Sequence, residues 1–185
     1  MTEQIFTLAN QLTLLRLLLI PVFVLLVVYG YAGWALLVFI VAGLTDALDG
    51  LIARWSNQRT TLGAWLDPAA DKLLLLAAFV VLTLPNIGLI NRLPIWLTVT
   101  AISRDVGIVL TVAIVNLAIG PRTFKPSFLG KFATAFFIIT CVVVLYFNYL
   151  GYASPIVDSF VWIALVVTVV SALDYVWRVA RIINQ

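Results

Sequence analysis

The sequence predicts an all-α integral membrane protein, a bundle of six transmembrane helices with an N-terminal interfacial helix. Three observations carry that prediction. Of its 185 residues, 64% are hydrophobic and 10% charged, where a soluble domain carries about a quarter charged residues. The apolar runs are long and are punctuated by Gly, Pro and short polar clusters rather than alternating as strands do. In hydrocarbon a lone segment satisfies its backbone only as a helix, at about 20 residues per crossing.

The elements follow in chain order. Residues 1–9 form a mixed polar and apolar lead suited to lying at the interface. The first span covers residues 12–29, and Gly30-Tyr31-Ala32-Gly33 makes a tight turn with an interfacial aromatic. The second span covers 34–52, followed by a polar loop from Arg54 to Thr61. The third covers 62–84, and a loop runs from Pro85 to Pro94. The fourth covers 95–119, and a loop with two prolines and two cations runs from Gly120 to Ser127. The fifth and sixth spans cover 128–150 and 156–179. With loops this short, residues 1–185 form one membrane domain. No internal repeat argues for an inverted-repeat transporter.

Charge sets the expected orientation. Arg54 and Arg59, then Arg122, Lys125 and Lys131, then Arg178 and Arg181 cluster on one side of the bundle, and the other side holds Arg92. The positive-inside rule puts both termini and these clusters in the cytoplasm. The net charge of +3 is that same bias and implies no nucleic-acid partner. The single cysteine, Cys141, excludes an intrachain disulfide, and the absence of histidine makes zinc chemistry implausible. The N-terminal stretch lacks the basic segment of a signal peptide and the Arg-rich character of a transit peptide. A bacterial-type plasma membrane is the simplest location.

Four carboxylates stand out against this apolar background. They form one run, Asp46-x2-Asp49-Gly50-x2-Ala53-Arg54-x8-Gly63-x3-Asp67-x3-Asp71. A carboxylate at membrane depth costs a few kcal/mol on insertion scales (about 2.5–3.5). Four together call for a compensating positive charge, and hard divalent cations take oxygen ligands. Residues three or four apart share a helix face, so Asp46 with Asp49, and Asp67 with Asp71, form two acidic faces. Helices joined by a short loop are antiparallel neighbours, so these faces can meet and hold two metal ions. Such a pair suits phosphoryl chemistry. Gly50 and Ala53 leave room for a ligand, Arg54 offers a planar fork to a phosphate, and Gly63 permits close backbone approach. Mg²⁺ and Mn²⁺ both accept such an oxygen cage.

This pattern resembles the signature of the CDP-alcohol phosphotransferase family, whose eight fixed positions are all met between Asp46 and Asp71. The resemblance covers nearly the whole chain. It implies a phospholipid-synthesising transferase: a phosphatidyl group passes from CDP-diacylglycerol to an acceptor hydroxyl and CMP leaves. It implies that Asp46, Asp49, Asp67 and Asp71 hold two metal ions and that Asp71 is the general base. It further implies a CDP pocket of Asp49, Gly50, Ala53, Arg54 and Gly63, and a homodimer. A carboxylate beside two cations is a poor base unless the acceptor hydroxyl is itself acidified.

Other segments point to a glycerol-type acceptor. Asn10-x2-Thr13-x2-Arg16 resembles the branches of the family that make phosphatidylglycerophosphate and cardiolipin, and suggests that Asn10 and Thr13 face the diphosphate. The stretch from Ala42 to Lys72 and the Asp at 105 look more like the cardiolipin branch. Pro126-Ser127-x2-Gly130-Lys131-x2-Thr134 looks more like the other. A basic pocket of Arg104 and Lys131 with Arg122 would suit an acceptor phosphate. Glycerol 3-phosphate is the favoured acceptor and phosphatidylglycerol the alternative.

Blander readings stand beside these. The aspartates could neutralise Arg54, Lys72 and Arg104 in a salt-bridge network. Arg104 and Asp105 could pair with charges on another helix, and Lys131 and Arg16 could be snorkelling anchors. A cation transporter with aspartates along an ion path is the competing function. It predicts acids spread through the membrane depth, whereas these cluster at one end of two consecutive spans.

Overall fold

The computed structural model describes the backbone of residues 8–55, 61–120 and 127–183, and the side chains of residues 11–45, 70–117, 120 and 127–181. Within these bounds the chain is six helices: α1 (Leu8–Val28), α2 (Ala32–Trp55), α3 (Thr61–Thr83), α4 (Ile95–Ile119), α5 (Phe128–Leu150) and α6 (Pro155–Ile183). Four stretches are long and apolar enough to cross a membrane: Gln11–Val28, Ile95–Leu117, Phe128–Leu150 and Pro155–Arg181. In α2 the described apolar stretch covers Ala32–Thr45.

The predicted fourth and fifth spans coincide with α4 and α5. The other four helices differ from the predicted spans by one to four residues at their ends. The first helix begins at Leu8, so residues 8 and 9 of the predicted interfacial lead belong to α1, while residues 1–7 lie outside the described residues. The second helix continues through Arg54, which the sequence reading assigned to a loop. Leu51, Ile52, Ala53 and Arg54 contain no helix breaker, so the arrival of charge marks a change of polarity rather than the end of the helix.

The helices form two compact units, residues 1–92 with 144–153, and residues 93–143 with 154–185. In the first unit α1 packs extensively on both α2 and α3. Its C-terminus is closed by a Schellman arrangement: Tyr31 N–H donates to the Leu26 carbonyl at 2.8 Å and Gly30 N–H to that of Val27 at 3.0 Å. Gly30 takes φ 79°, a conformation open to glycine at no steric cost. The chain therefore reverses within three residues and α1 and α2 are antiparallel. Their buried stripes follow heptad spacing, with Thr13, Arg16, Phe23 and Val27 on α1 and Ala35, Phe39 and Ala42 on α2. Phe23 and Phe39 meet at 5.4 Å between ring centroids.

One side chain fastens the connection after α3. Asn148 Oδ1 accepts from the backbone N–H groups of Ile90 and Asn91 at 2.9 and 3.0 Å. Its Nδ2 donates to the Asn91 carbonyl at 2.8 Å and to that of Val144 at 2.8 Å. Asn91 Nδ2 in turn donates to the Tyr152 carbonyl at 2.9 Å. Backbone that leaves a helix in apolar surroundings needs such partners.

In the second unit α4 and α6 lie side by side. Trp96 meets Trp162 at 5.5 Å, Arg104 reaches Ser171, and the Tyr175 hydroxyl donates to the Ile108 carbonyl at 3.2 Å. Residue numbers rise together along both helices, so the two run parallel. The stacked rings of Phe136 and Phe160, 5.5 Å apart, join α5 to α6. The outward positions are apolar: Ile95 is 70% exposed, Val109 57%, Ile114 63% and Leu117 88%. Apolar surface this continuous marks contact with lipid or another apolar partner.

Replacing Asn148 by Leu removes four hydrogen bonds. The variant is expected to lose roughly 2 kcal/mol or more of stability, at about 1 kcal/mol net per bond less partial rescue by water. Thermal unfolding in detergent measures this. Cys141 is fully buried, so a thiol-directed maleimide should label it only after denaturation.

Candidate active site

The acidic run straddles the end of α2 and the start of α3. In helical register, positions 46, 49 and 53 continue the heptad stripe that buries Ala35, Phe39 and Ala42 on α2. On α3, positions 63 and 67 precede the stripe of Ala70, Leu74 and Ala78, all buried. Both stripes belong to helices that pack on α1. The side chains of Asp46, Asp49, Gly50, Ala53, Arg54, Gly63, Asp67 and Asn10 lie outside the described residues. Asp71 is described and is partly exposed on α3, one position beyond buried Ala70.

Across the acidic run, α1 contributes polar groups. Counting back from the tight turn, Arg16 stands level with about residue 44 and Thr13 with about residue 47, at equal rise on the two antiparallel helices. Thr13 and Arg16 are both 0% exposed. A snorkelling anchor keeps its charged head in water, and Arg16 does not. The structure thus turns the Thr13 and Arg16 face of α1 inward, at the end of the helix hairpin that carries Asp46 and Asp49.

A second polar cluster belongs to the other unit and centres on Arg104 of α4, whose side chain is 6% exposed. Nη1 donates to Asp105 Oδ1 at 2.6 Å. Nη2 donates to Ser171 Oγ of α6 at 2.5 Å and, at 3.5 Å, to the Gly130 carbonyl of α5. Ser127 caps α5 by accepting the Gly130 N–H at 2.9 Å, and the Thr134 hydroxyl returns to the Gly130 carbonyl at 3.2 Å. A Cβ on Gly130 would stand 3.1 Å from Ser127 Oγ and 3.3 Å from Arg104 Nη2. The Ser127-x2-Gly130-x3-Thr134 pattern therefore has a physical content: a capped helix start bare enough for a guanidinium to lie against it. Lys131, one residue on, is exposed. Arg122 lies outside the described residues.

Of the predicted acceptor residues, Arg104 is thus buried and bonded, and Lys131 faces outward. The blander expectation is a pairing with charges on another helix; the ion pair present is with Asp105, the next residue on the same helix. Ser171 is the member of this cluster that sequence reasoning passed over. A serine two-thirds of the way along an apolar helix carries no signal by spacing, and its partner lies 67 positions away. A cleft of about 500 Å³, lined by Tyr31, Trp34, Leu37, Asn148 and Tyr149, sits at the opposite end of α2 from the aspartates. It is rimmed by exposed aromatics of the interfacial kind and holds no cluster of ionisable groups.

The model of the CDP-alcohol phosphatidyltransferase family matches residues 6–170, which takes in the acidic run, α1 and the Arg104 corner. The chain belongs to that family. It is therefore a transferase of phospholipid biosynthesis. It is 35% identical over 190 aligned residues to a probable phosphatidylglycerophosphate synthase of Mycobacterium tuberculosis, across 96% of this chain and 84% of that protein. It is 37% identical over 176 residues to the human CMP-forming cardiolipin synthase, across 86% of this chain and 57% of that protein. A CMP-forming cardiolipin synthase of Streptomyces coelicolor is 39% identical over 139 residues, across 72% of this chain and 62% of the relative. The chain thus spans less than two thirds of either cardiolipin synthase.

Gly130→Val places branched carbon where Arg104 Nη2 and Ser127 Oγ already lie. The substitution is expected to displace the guanidinium and to lower thermal stability by about 1–3 kcal/mol, the usual cost of overpacking. Gly130→Ala should cost less. Unfolding midpoints of the two variants beside the parent check the order.

Proposed function

We propose that this chain transfers the phosphatidyl group of CDP-diacylglycerol to glycerol 3-phosphate, releasing CMP and forming phosphatidylglycerophosphate. The observation that carries this reading is the complete eight-position acidic run, on two helices that share α1 as a packing partner. Support for the acceptor comes from the Mycobacterium relative, matched nearly end to end, and from the capped Ser127–Thr134 segment. Phosphatidylglycerol, giving cardiolipin, is the second reading, favoured by identity to the two cardiolipin synthases. We place all six helices across a plasma membrane with both termini cytoplasmic, on the charge bias of the loops, and the protein as a homodimer.

The donor set fits hard divalent cations: it is all carboxylate, without histidine or cysteine, on two helices that both pack on α1. Asp46, Asp49, Asp67 and Asp71 would hold two Mg²⁺ or Mn²⁺ ions. When bound, such ions neutralise the diphosphate and the charge that develops on departing CMP. The chain's own groups do the rest. Gly50, Ala53 and Gly63 leave room for the nucleotide, Asn10 and Thr13 face the diphosphate, and Arg54 pairs with phosphate oxygen. Asp71 takes the proton of the acceptor hydroxyl. The hydroxyl oxygen bonds to the β-phosphorus as the bond from that phosphorus to the CMP oxygen breaks. Arg104, Lys131 and Arg122 attract the phosphate of the acceptor.

Purified protein with CDP-diacylglycerol and Mg²⁺ should release CMP when given glycerol 3-phosphate, and EDTA should stop it. Release with phosphatidylglycerol alone would select the second reading. Release with neither would sink the acceptor assignment. Asp71→Asn is expected to cut turnover by about a hundredfold or more, the usual contribution of a general base, while CDP-diacylglycerol still binds. Normal turnover in that variant removes Asp71 from the base role. Asp49→Ala should lose activity together with metal-dependent nucleotide binding, measured by calorimetry with and without Mg²⁺.

A further inference from the structure

The guanidinium of Arg104 is held unequally. Nη1 and Nη2 have acceptors, but Nε is buried and has no hydrogen-bond partner among the described residues. A buried donor left unmade is costly, and a charged one more so. Its orientation therefore needs a cause outside the arginine itself. Asp105 is the next residue on the same helix, with a side chain 37% exposed, so it moves with Arg104 and gives no external reference. The Gly130 carbonyl is 3.5 Å away, at the limit of a useful bond. Ser171 is different: it is 1% exposed, lies on another helix and meets Nη2 at 2.5 Å.

The hydroxyl is also used unusually. Thr100, Thr111, Thr140, Thr168 and Ser159 each donate their hydroxyl to the carbonyl four residues earlier on their own helix, the ordinary fate of such groups. Ser171 Oγ instead accepts from a charged donor on α4. A hydroxyl accepting from a guanidinium makes a charge-assisted hydrogen bond, stronger than a neutral one, and it fixes a plane, because the guanidinium is rigid.

We propose that Ser171 is a positioning residue, whose hydroxyl locks Arg104 with its Nε–H turned toward the anionic oxygen of an incoming acceptor. The ligand class is a phosphate ester, the monoester of glycerol 3-phosphate or the diester of phosphatidylglycerol, which share the oxygen that Nε–H would meet. This deepens the function proposed above and rests on its reading of Arg104 as an acceptor contact. Ser171 itself touches neither substrate.

The test uses the full chain in detergent, with Ser171→Ala and Ser171→Thr beside the parent. KM is measured for each acceptor in its own arm and for CDP-diacylglycerol. Ser171→Ala should raise the acceptor KM about tenfold, the order expected for one hydrogen bond to a charged group, and leave the CDP-diacylglycerol KM within about twofold. Ser171→Thr, which keeps the hydroxyl, should restore the acceptor KM to within about threefold of the parent. Equal acceptor KM values in parent and Ala variant overturn the proposal, and so does an equal rise in both KM values, which marks a merely structural role. A second readout needs no turnover: the shift in Tm on adding glycerol 3-phosphate without donor. It should be present in the parent, lost in Ser171→Ala and kept in Ser171→Thr. A parent that releases no CMP with either acceptor refutes the proposed function, and the Tm shift then decides the role of Ser171 separately, an absent or equal shift counting against it. Should Ser171→Ala fail to fold, Ser171→Val against Ser171→Thr makes the same comparison at equal volume.

Discussion

A guanidinium buried among apolar helices must be answered by fixed oxygen, and much of this structure is arranged around that demand. Arg16 and Arg104 are both shielded from solvent, one in each compact unit. Arginine does not shed its proton in proteins, so neither can escape the cost of burial by neutralising. Around Arg104 the answer is visible: an adjacent carboxylate, a serine from a distant helix and the carbonyl of a helix start kept bare by Gly130. Around Arg16 the answer lies in topology. A three-residue reversal returns α2 antiparallel to α1, which brings the acidic end of α2 level with the buried face of α1.

That topology also clarifies how a phosphotransfer site can be assembled from so few residues. Consecutive helices were expected to press their acidic faces directly together. The side chains of those faces, apart from Asp71, lie outside the described residues; among the described residues, α2 and α3 each pack on α1. The first helix is then more than an anchor. It is the shared packing partner of the two helices that carry the carboxylates, and its Thr13 and Arg16 are buried. The opposite ends of these helices are closed by the Gly30 turn and by the Asn148 network, which gives the backbone of Ile90 and Asn91 its partners.

Much of this was legible in the chain. Spacing placed α4 and α5 to the residue, since Pro94 and Gly120, and then Ser127 and Gly151, punctuate unbroken apolar runs. The acidic run was legible because both residue type and interval are constrained, and the family match extends over it. The end of α2 was not, because a change from apolar to charged residues was taken as a helix end although no breaker stood there. The burial of Arg16 was equally ambiguous. An arginine about two turns into the first helix reads alike as an interfacial anchor or as an inward ligand, and only the neighbouring helices separate the two.

By itself the sequence determined the helices, the acidic run and the membership in a family of phospholipid-making transferases. All three depend on local spacing: 3.6 residues per turn, a capping residue, a carboxylate three or four positions from the next. The tertiary structure alone decided which polar groups face inward and which meet. Arg104 met Ser171 across 67 positions, Asn148 met the loop at Asn91, and Lys131 turned outward beside an inward neighbour. Such pairings follow from how helices rotate about their axes when apolar stripes interlock, and a rotation of about 100° per residue leaves no trace in the spacing of a single helix.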